Sequence, residues 1–137
     1  MLTISSYLFR LMVLIHFTPD DATKAYFAKA NQLDLSDMNE QSFHDTISEY
    51  GNMCCGILNR ELGVFFPHIG MSTPNILDKH CASYLRLLGG GHIQHFAVGI
   101  NGAPLFQVSL CVCDYADLDF MVDANEENSH TGELELF

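Results

Sequence analysis

Basic residues are scarce in this sequence and stop early. Lys and Arg total 6 against 17 Asp and Glu, a formal net charge of −11 over 137 residues. The last of them is Arg86, so residues 87–137 hold eight acids and no base, which leaves −3 to residues 1–86. A chain without a basic face binds phosphate backbones and anionic lipid poorly, which excludes non-specific attachment to nucleic acid or membrane. Cys-x-x-Cys spacing is also absent. The five cysteines, Cys54, Cys55, Cys81, Cys111 and Cys113, are odd in number and form no secreted disulfide framework. Zinc would draw on His68, His80, His92 and His95, yet these show no usual ligand spacing, and Cys111 and Cys113 sit inside an apolar run. Neither a metal site nor a cofactor of the chain's own is expected. The glycine run Gly89-Gly90-Gly91 lacks the Lys-Ser/Thr of a phosphate-binding loop and opens a strand. No Ser-His-Asp or Cys-His arrangement stands out. Nor is a leader expected: Leu8–Phe17 is interrupted by Arg10 and His16, has no basic flank or cleavage site, and is too short to span a bilayer. A cytosolic protein is expected.

What is present is a core-forming chain. Hydrophobic residues make up 48% and charged residues 17%, enough for one packed domain at this length. That domain is read as residues 1–122, followed by an acidic tail at 123–137. Residues 8–17 alternate as a buried strand with Phe9, Leu11, Val13, Ile15 and Phe17 on one face. Thr18-Pro19-Asp20-Asp21 opens a short helix, with Thr18 as cap and Pro19 at the first helical position, running to about Asn31. Its inward residues are read as Ala22, Tyr26 and Ala30 or Leu33. A polar loop at 34–39 leads into a longer helix over about Glu40–Leu62, closed by Gly63. Val64–Ile69 reads as a strand, Thr73–Leu77 as an extended connection and Lys79–Leu88 as a short helix. His92–Ile100 and Leu105–Cys113 flank the turn dipeptide Asn101-Gly102 as a hairpin. In the second of these strands Phe106, Val108, Leu110 and Val112 share one face, and Gln107, Ser109, Cys111 and Cys113 the other. Tyr115–Val122 reads as an edge strand or a helical turn. The fold class is α/β of the α+β kind: an antiparallel-rich sheet covered on one face by two or three helices.

The long helix carries the chemistry. At 100° per residue, Phe43, Ile47, Tyr50, Cys54, Ile57, Leu58 and Glu61/Leu62 make the core-facing stripe. Opposite lie Asp45, Glu49, Asn52, Gly56 and Asn59. Glu49 and Asn52 are then neighbours one turn apart. Gly56, costly in a helix interior by roughly 1 kcal/mol relative to Ala, leaves a flat spot for another backbone. Polar residues on an outer helical face are ordinarily just solvated, so the pair gains meaning only from its setting.

That setting is the segment Glu49-Tyr50-Gly51-Asn52-Met53-Cys54-Cys55-Gly56-Ile57-Leu58-Asn59-Arg60-Glu61-Leu62, which resembles the signature helix of the CheC/CheX chemotaxis phosphatases. The family pattern is Glu-x-x-Asn, apolar and small residues, then Gly four beyond the Asn. Met71-Ser72-Thr73-Pro74-Asn75-Ile76 is similar to the Ser-x-Pro-x-hydrophobic segment that follows it. The resemblance covers about residues 7–113, and only the helix motif within it is specific. It implies a CheC-like fold and hydrolysis of the aspartyl phosphate of a CheY-like receiver domain. Asn52 would orient the attacking water and Glu49 would pair with the receiver's Lys, with Asp45, Gly56 and Asn59 contacting the partner. The receiver would bring its own Mg²⁺. The chain departs from the family in three ways, one of them minor for packing: Cys54-Cys55 replaces the more usual aliphatic and small residues. Helix 20–31 has no Glu, so only one Glu-x-x-Asn helix exists and the CheX branch is nearer; and the residues before Leu8 leave little room for the helix and strand that commonly precede. CheX-type members often form homodimers through their sheets, which is the expectation here. Two other readings stand beside this one. A non-enzymatic module of the same fold would bind a signalling or flagellar-switch partner. An unrelated α/β domain would bind a ligand against the His92/His95 segment.

Overall fold

A computed structural model of the chain describes residues 1–88, 90–100 and 103–121. Alternation does what the sequence led one to expect over Phe9–His16 (β2), whose Phe9, Leu11 and Val13 are buried on one face. A strand ahead of it, Leu2–Ser5 (β1), pairs with it antiparallel from Leu2↔Val13 to Ser5↔Arg10. The sequence reading had missed β1, because four residues hold too little periodicity to be seen. The connection is tied locally: the Ser6 N–H donates to Phe9 O at 2.9 Å, and Ser6 Oγ accepts from the Leu8 and Phe9 N–H groups at 2.9 and 3.2 Å.

Helix α1 (Asp21–Ala30) starts two residues later than expected. Asp20, not Thr18, is the N-cap, its carboxylate accepting from the Thr23 N–H at 2.8 Å. Its buried residues are Thr23, Phe27 and Ala28, while Ala22, Ala30 and Leu33 are exposed. The helix ends without glycine. Gln32 takes the left-handed conformation (φ 57°), and the Leu33 N–H closes back on Ala28 O at 2.9 Å. A 3₁₀ turn at Leu35–Asp37 precedes helix α2 (Glu40–Gly63), which Asn39 caps by accepting from the Ser42 N–H at 2.9 Å. Gly63 is the last helical residue, and the cap position falls to Val64. Residues 64–69 are turns rather than the expected strand. They drive Phe66 into the core against Phe9, rings 5.0 Å apart. Pairing resumes only at Gly70–Met71 (β3), beside β1.

A 3₁₀ helix at Lys79–Leu88 follows the irregular 72–78 stretch, and then His92–Ile100 (β4) and Ala103–Asp114 (β5) pair antiparallel. The Asn101-Gly102 turn and the tail at 123–137 lie outside the described residues. Residues 115–121 are neither strand nor helix; Leu118 joins the core and Phe120 packs on Phe65 and Phe66. The five strands form one antiparallel sheet in the order β3-β1-β2-β5-β4, with α-helices beside it: an α+β fold. No helix among the described residues is long and apolar enough to cross a membrane.

The register sorts the core into two sides. Leu2, Ile4, Phe9, Leu11 and Val13 meet Cys55, Leu58 and Leu62 of α2, with Val108, Leu110 and Val112 of β5 on the same side. The opposite side joins Met12 and Leu14 to Cys111 and Cys113, and Ala82 of the 79–88 segment packs over them. The β5 face with the polar alternation is therefore the more deeply buried one: Ser109, Cys111 and Cys113 are 3%, 0% and 3% exposed. Gly90 lets the chain lie against this layer, since a Cβ there would collide with Cys111 Sγ.

Candidate functional site

The site is built on α2, held at both ends and along one seam. At its start Phe43, fully buried, meets the rings of Phe17 and Phe27 edge-on, centroids 5.4 and 6.2 Å away, and Tyr50 reaches Phe27 at 5.1 Å. Further along, Ile47, Gly51 and Cys55 are buried, with Leu58 and Leu62 packed against the sheet. The seam is thus 43, 47, 51, 55, 58 and 62. The sequence reading had turned the helix: Cys54 and Ile57, taken as inward, are exposed, and Gly51 and Cys55 take their place. Gly51 is what lets α2 come down on the sheet. A Cβ there would stand 3.3 Å from the terminal methyls of both Ile15 and Leu2. Burial and the neighbouring Cys54 push the Cys55 thiol up to about 11, so it stays a neutral packing group.

With that seam facing in, Glu49 and Asp45 are exposed and Asn52 is half-exposed. Glu49 and Asn52 stand one turn apart on the outer half of the helix, where side chains three residues apart are neighbours. Gly56 opens the next turn: a Cβ there would meet nothing within 4 Å. Asp45 is steadied by Gln41, whose Nε2 donates to its Oδ1 at 2.8 Å. Asn59 differs from the expected open position. It is half-buried, and its Oδ1 is withdrawn from solvent with no hydrogen-bond partner among the described residues. Met53 and Ile57, 41% and 53% exposed, complete the outer stripe of 49, 52, 53, 56 and 57. It offers a carboxylate, an amide, two apolar side chains and a gap without a side chain. It holds no nucleophile-base pair, so its chemistry is to position groups in a site completed by something else.

A cleft lies elsewhere. A hollow of about 100 Å³ opens where the end of β2 meets the 74–82 segment, lined by His16, Ile47, Asp78, Lys79 and Cys81 among others. None of Asp45, Glu49, Asn52, Gly56 and Asn59 lines it. Of the histidines weighed for metal, His80 donates its backbone N–H to Asp78 Oδ1 at 2.8 Å, and His68 has a left-handed backbone. Among the described residues no group of three or more His, Cys, Asp or Glu is placed to hold a metal ion.

One polar cluster escaped the sequence reading. His16 Nε2 and His95 Nδ1 stand 2.8 and 2.7 Å from the same oxygen, Ser109 Oγ. Burial, then the neighbouring His95 and the chain's amino terminus, hold the His16 imidazole below its ordinary value of 6.5. Only the pairing of β2 with β5 and of β5 with β4 brings these three residues together, and no spacing along the chain signals it.

No family model matches the chain, and neither the curated proteins nor the solved structures contain a significant match to it.

Proposed function

We propose that this chain is a phosphatase for the aspartyl phosphate of a CheY-like response-regulator receiver domain, of the kind its signature helix resembles. The observation that carries the proposal is the placement of Glu49 and Asn52 one turn apart on the outer side of a helix anchored by a six-residue seam. An acyl phosphate is already activated, and the receiver supplies Mg²⁺, so the phosphatase needs only to place a water in line with the phosphorus. The Asn52 amide can accept from and donate to one such water. The Glu49 carboxylate would engage the receiver's active-site Lys and fix the depth of insertion. Asp45, Gly56 and Asn59 would lie at the contact, with Gly56 admitting the partner's backbone. The same proposal takes the protein to work in the cytoplasm, as a homodimer formed through its sheet.

The test is phosphate release from a phosphorylated receiver domain with Mg²⁺. Asn52→Ala is expected to lower the rate to the receiver's own, with the circular dichroism and unfolding midpoint of the parent. An undiminished rate in that variant sinks the assignment. The exposed Met53 and Ile57 favour a second reading, because apolar anchors serve docking whether or not turnover follows. Tight binding with no acceleration of phosphate loss would establish that non-enzymatic interaction module instead.

A further inference from the structure

Ser109 is 3% exposed and sits in the middle strand of three, its hydroxyl between an imidazole from β2 and another from β4. The neighbours on this side of the sheet are apolar or neutral: Met12, Leu14, Ile93, Cys111 and Cys113. Other titratable groups face His16 from the cleft, namely Asp78, Lys79 and Cys81, and the Met1 amino group acts on it from the start of β1. Arg10 lies further along β2, its guanidinium directed to Cys113 Sγ. Neither imidazole forms an ion pair with a carboxylate among the described residues.

Proton counting around one hydroxyl is restrictive. A serine has one hydrogen to donate and two lone pairs to accept with. With both rings neutral, one ring donates to Oγ and the hydroxyl donates to the bare nitrogen of the other. With one proton added, the imidazolium donates, the neutral ring accepts, and both bonds persist. With two protons added both rings must donate. The hydroxyl hydrogen then has no acceptor in a buried site, and two cations share one oxygen.

We propose that His16, Ser109 and His95 form a clasp across β2, β5 and β4 that holds with no added proton or one, opens with two, and so loosens the β4 edge in mildly acid solution. His95 is the ring that leaves, because it is exposed and can take its charge to water, whereas His16 is partly buried. The edge it frees is nine residues long and carries no Lys, Arg, Asp, Glu or Pro to guard its open backbone groups.

Amide exchange on the full chain, corrected for the intrinsic pH dependence, tests this at pH 7.5 and 5.0. Protection over residues 92–98 is expected to fall at least tenfold at the lower pH, with β1 amides changed less than threefold. In His95→Gln, which removes the second charge at an exposed position, the pH-dependent loss should shrink below threefold. Ring resonances supply a second reading: the His16 midpoint should rise by at least 0.3 pH in His95→Gln. Equal protection of β4 at both pH values, or an unaltered loss and an unmoved His16 midpoint in the variant, would overturn the proposal.

Discussion

A glycine inside a helix either makes room for a neighbour or leaves a space unused, and α2 contains one of each. Gly51 is buried, with terminal methyls of Ile15 and Leu2 at 3.3 Å from where a Cβ would stand. Gly56 has nothing within 4 Å. Both positions would gain the same helix propensity from alanine, about 1 kcal/mol. At Gly56 nothing opposes that gain, so Gly56→Ala should stabilise by about 0.5–1 kcal/mol. At Gly51 two methyls must give way in a packed seam, at a cost typical of mild overpacking, about 1–2 kcal/mol. Gly51→Ala should therefore lie at least about 1 kcal/mol below Gly56→Ala in urea unfolding. Equal stability of the two variants would mean that α2 does not rest on the sheet at Gly51. If Gly56 serves a partner, its retention in a helix that would be more stable without it has a physical reason.

For α2 as an element, the question is which way it faces, and its two adjacent thiols report it. Cys54 is exposed and Cys55 is 1% exposed; Cys81 is exposed, and Cys111 and Cys113 are buried. A bulky thiol reagent should label Cys54 and Cys81 in the native protein and leave the other three until denaturant is added. Labelling of Cys55 ahead of Cys54 would restore the orientation first read from the sequence. That reading erred for a specific reason. Between Met53 and Leu58 five of six residues are apolar, so the wheel has no clear polar edge there. Scored by hydrophobicity, Gly51 counts against a seam that it in fact makes possible. The strands β2, β4 and β5 and both helices were legible because each is long enough to show its period. β1 and β3, four and two residues long, exist through pairing with partners elsewhere in the chain. The same limit separates the two polar constellations. Glu49 and Asn52 are neighbours by helical spacing alone, so they could be read in one dimension. Ser109 meets His16 from 93 residues away, so that cluster needed the sheet.

At the scale of the molecule, titration should give stability a maximum with a cause on each side. The pKa of His16 is lowered in the folded protein, by burial first and by His95 second. The unfolded chain therefore binds a proton there more readily. This contribution is present above the ordinary value of 6.5 and is lost as the pH falls below it. Asp20, held below its ordinary carboxylate value by hydrogen bonds from Thr23, adds a further loss in stronger acid. On the alkaline side the sign reverses. Cys55 is raised to about 11 and Cys111 is raised from 9.0, burial being the first cause for both. Unfolded thiols ionise near 9.0 while the folded ones stay neutral, so stability is lost as the pH rises past that value. The unfolding midpoint should therefore be highest between about pH 7 and 9 and decline on both sides. The two flanks should also separate by mutation: His16→Gln should lessen the decline between about pH 6.5 and 5, and Cys55→Ala should lessen the decline above about pH 9 while leaving the share of Cys111, each leaving the other flank in place. A midpoint that stayed level from pH 5 to 7, or an alkaline decline unchanged in Cys55→Ala, would show that these groups are not held as the structure has them.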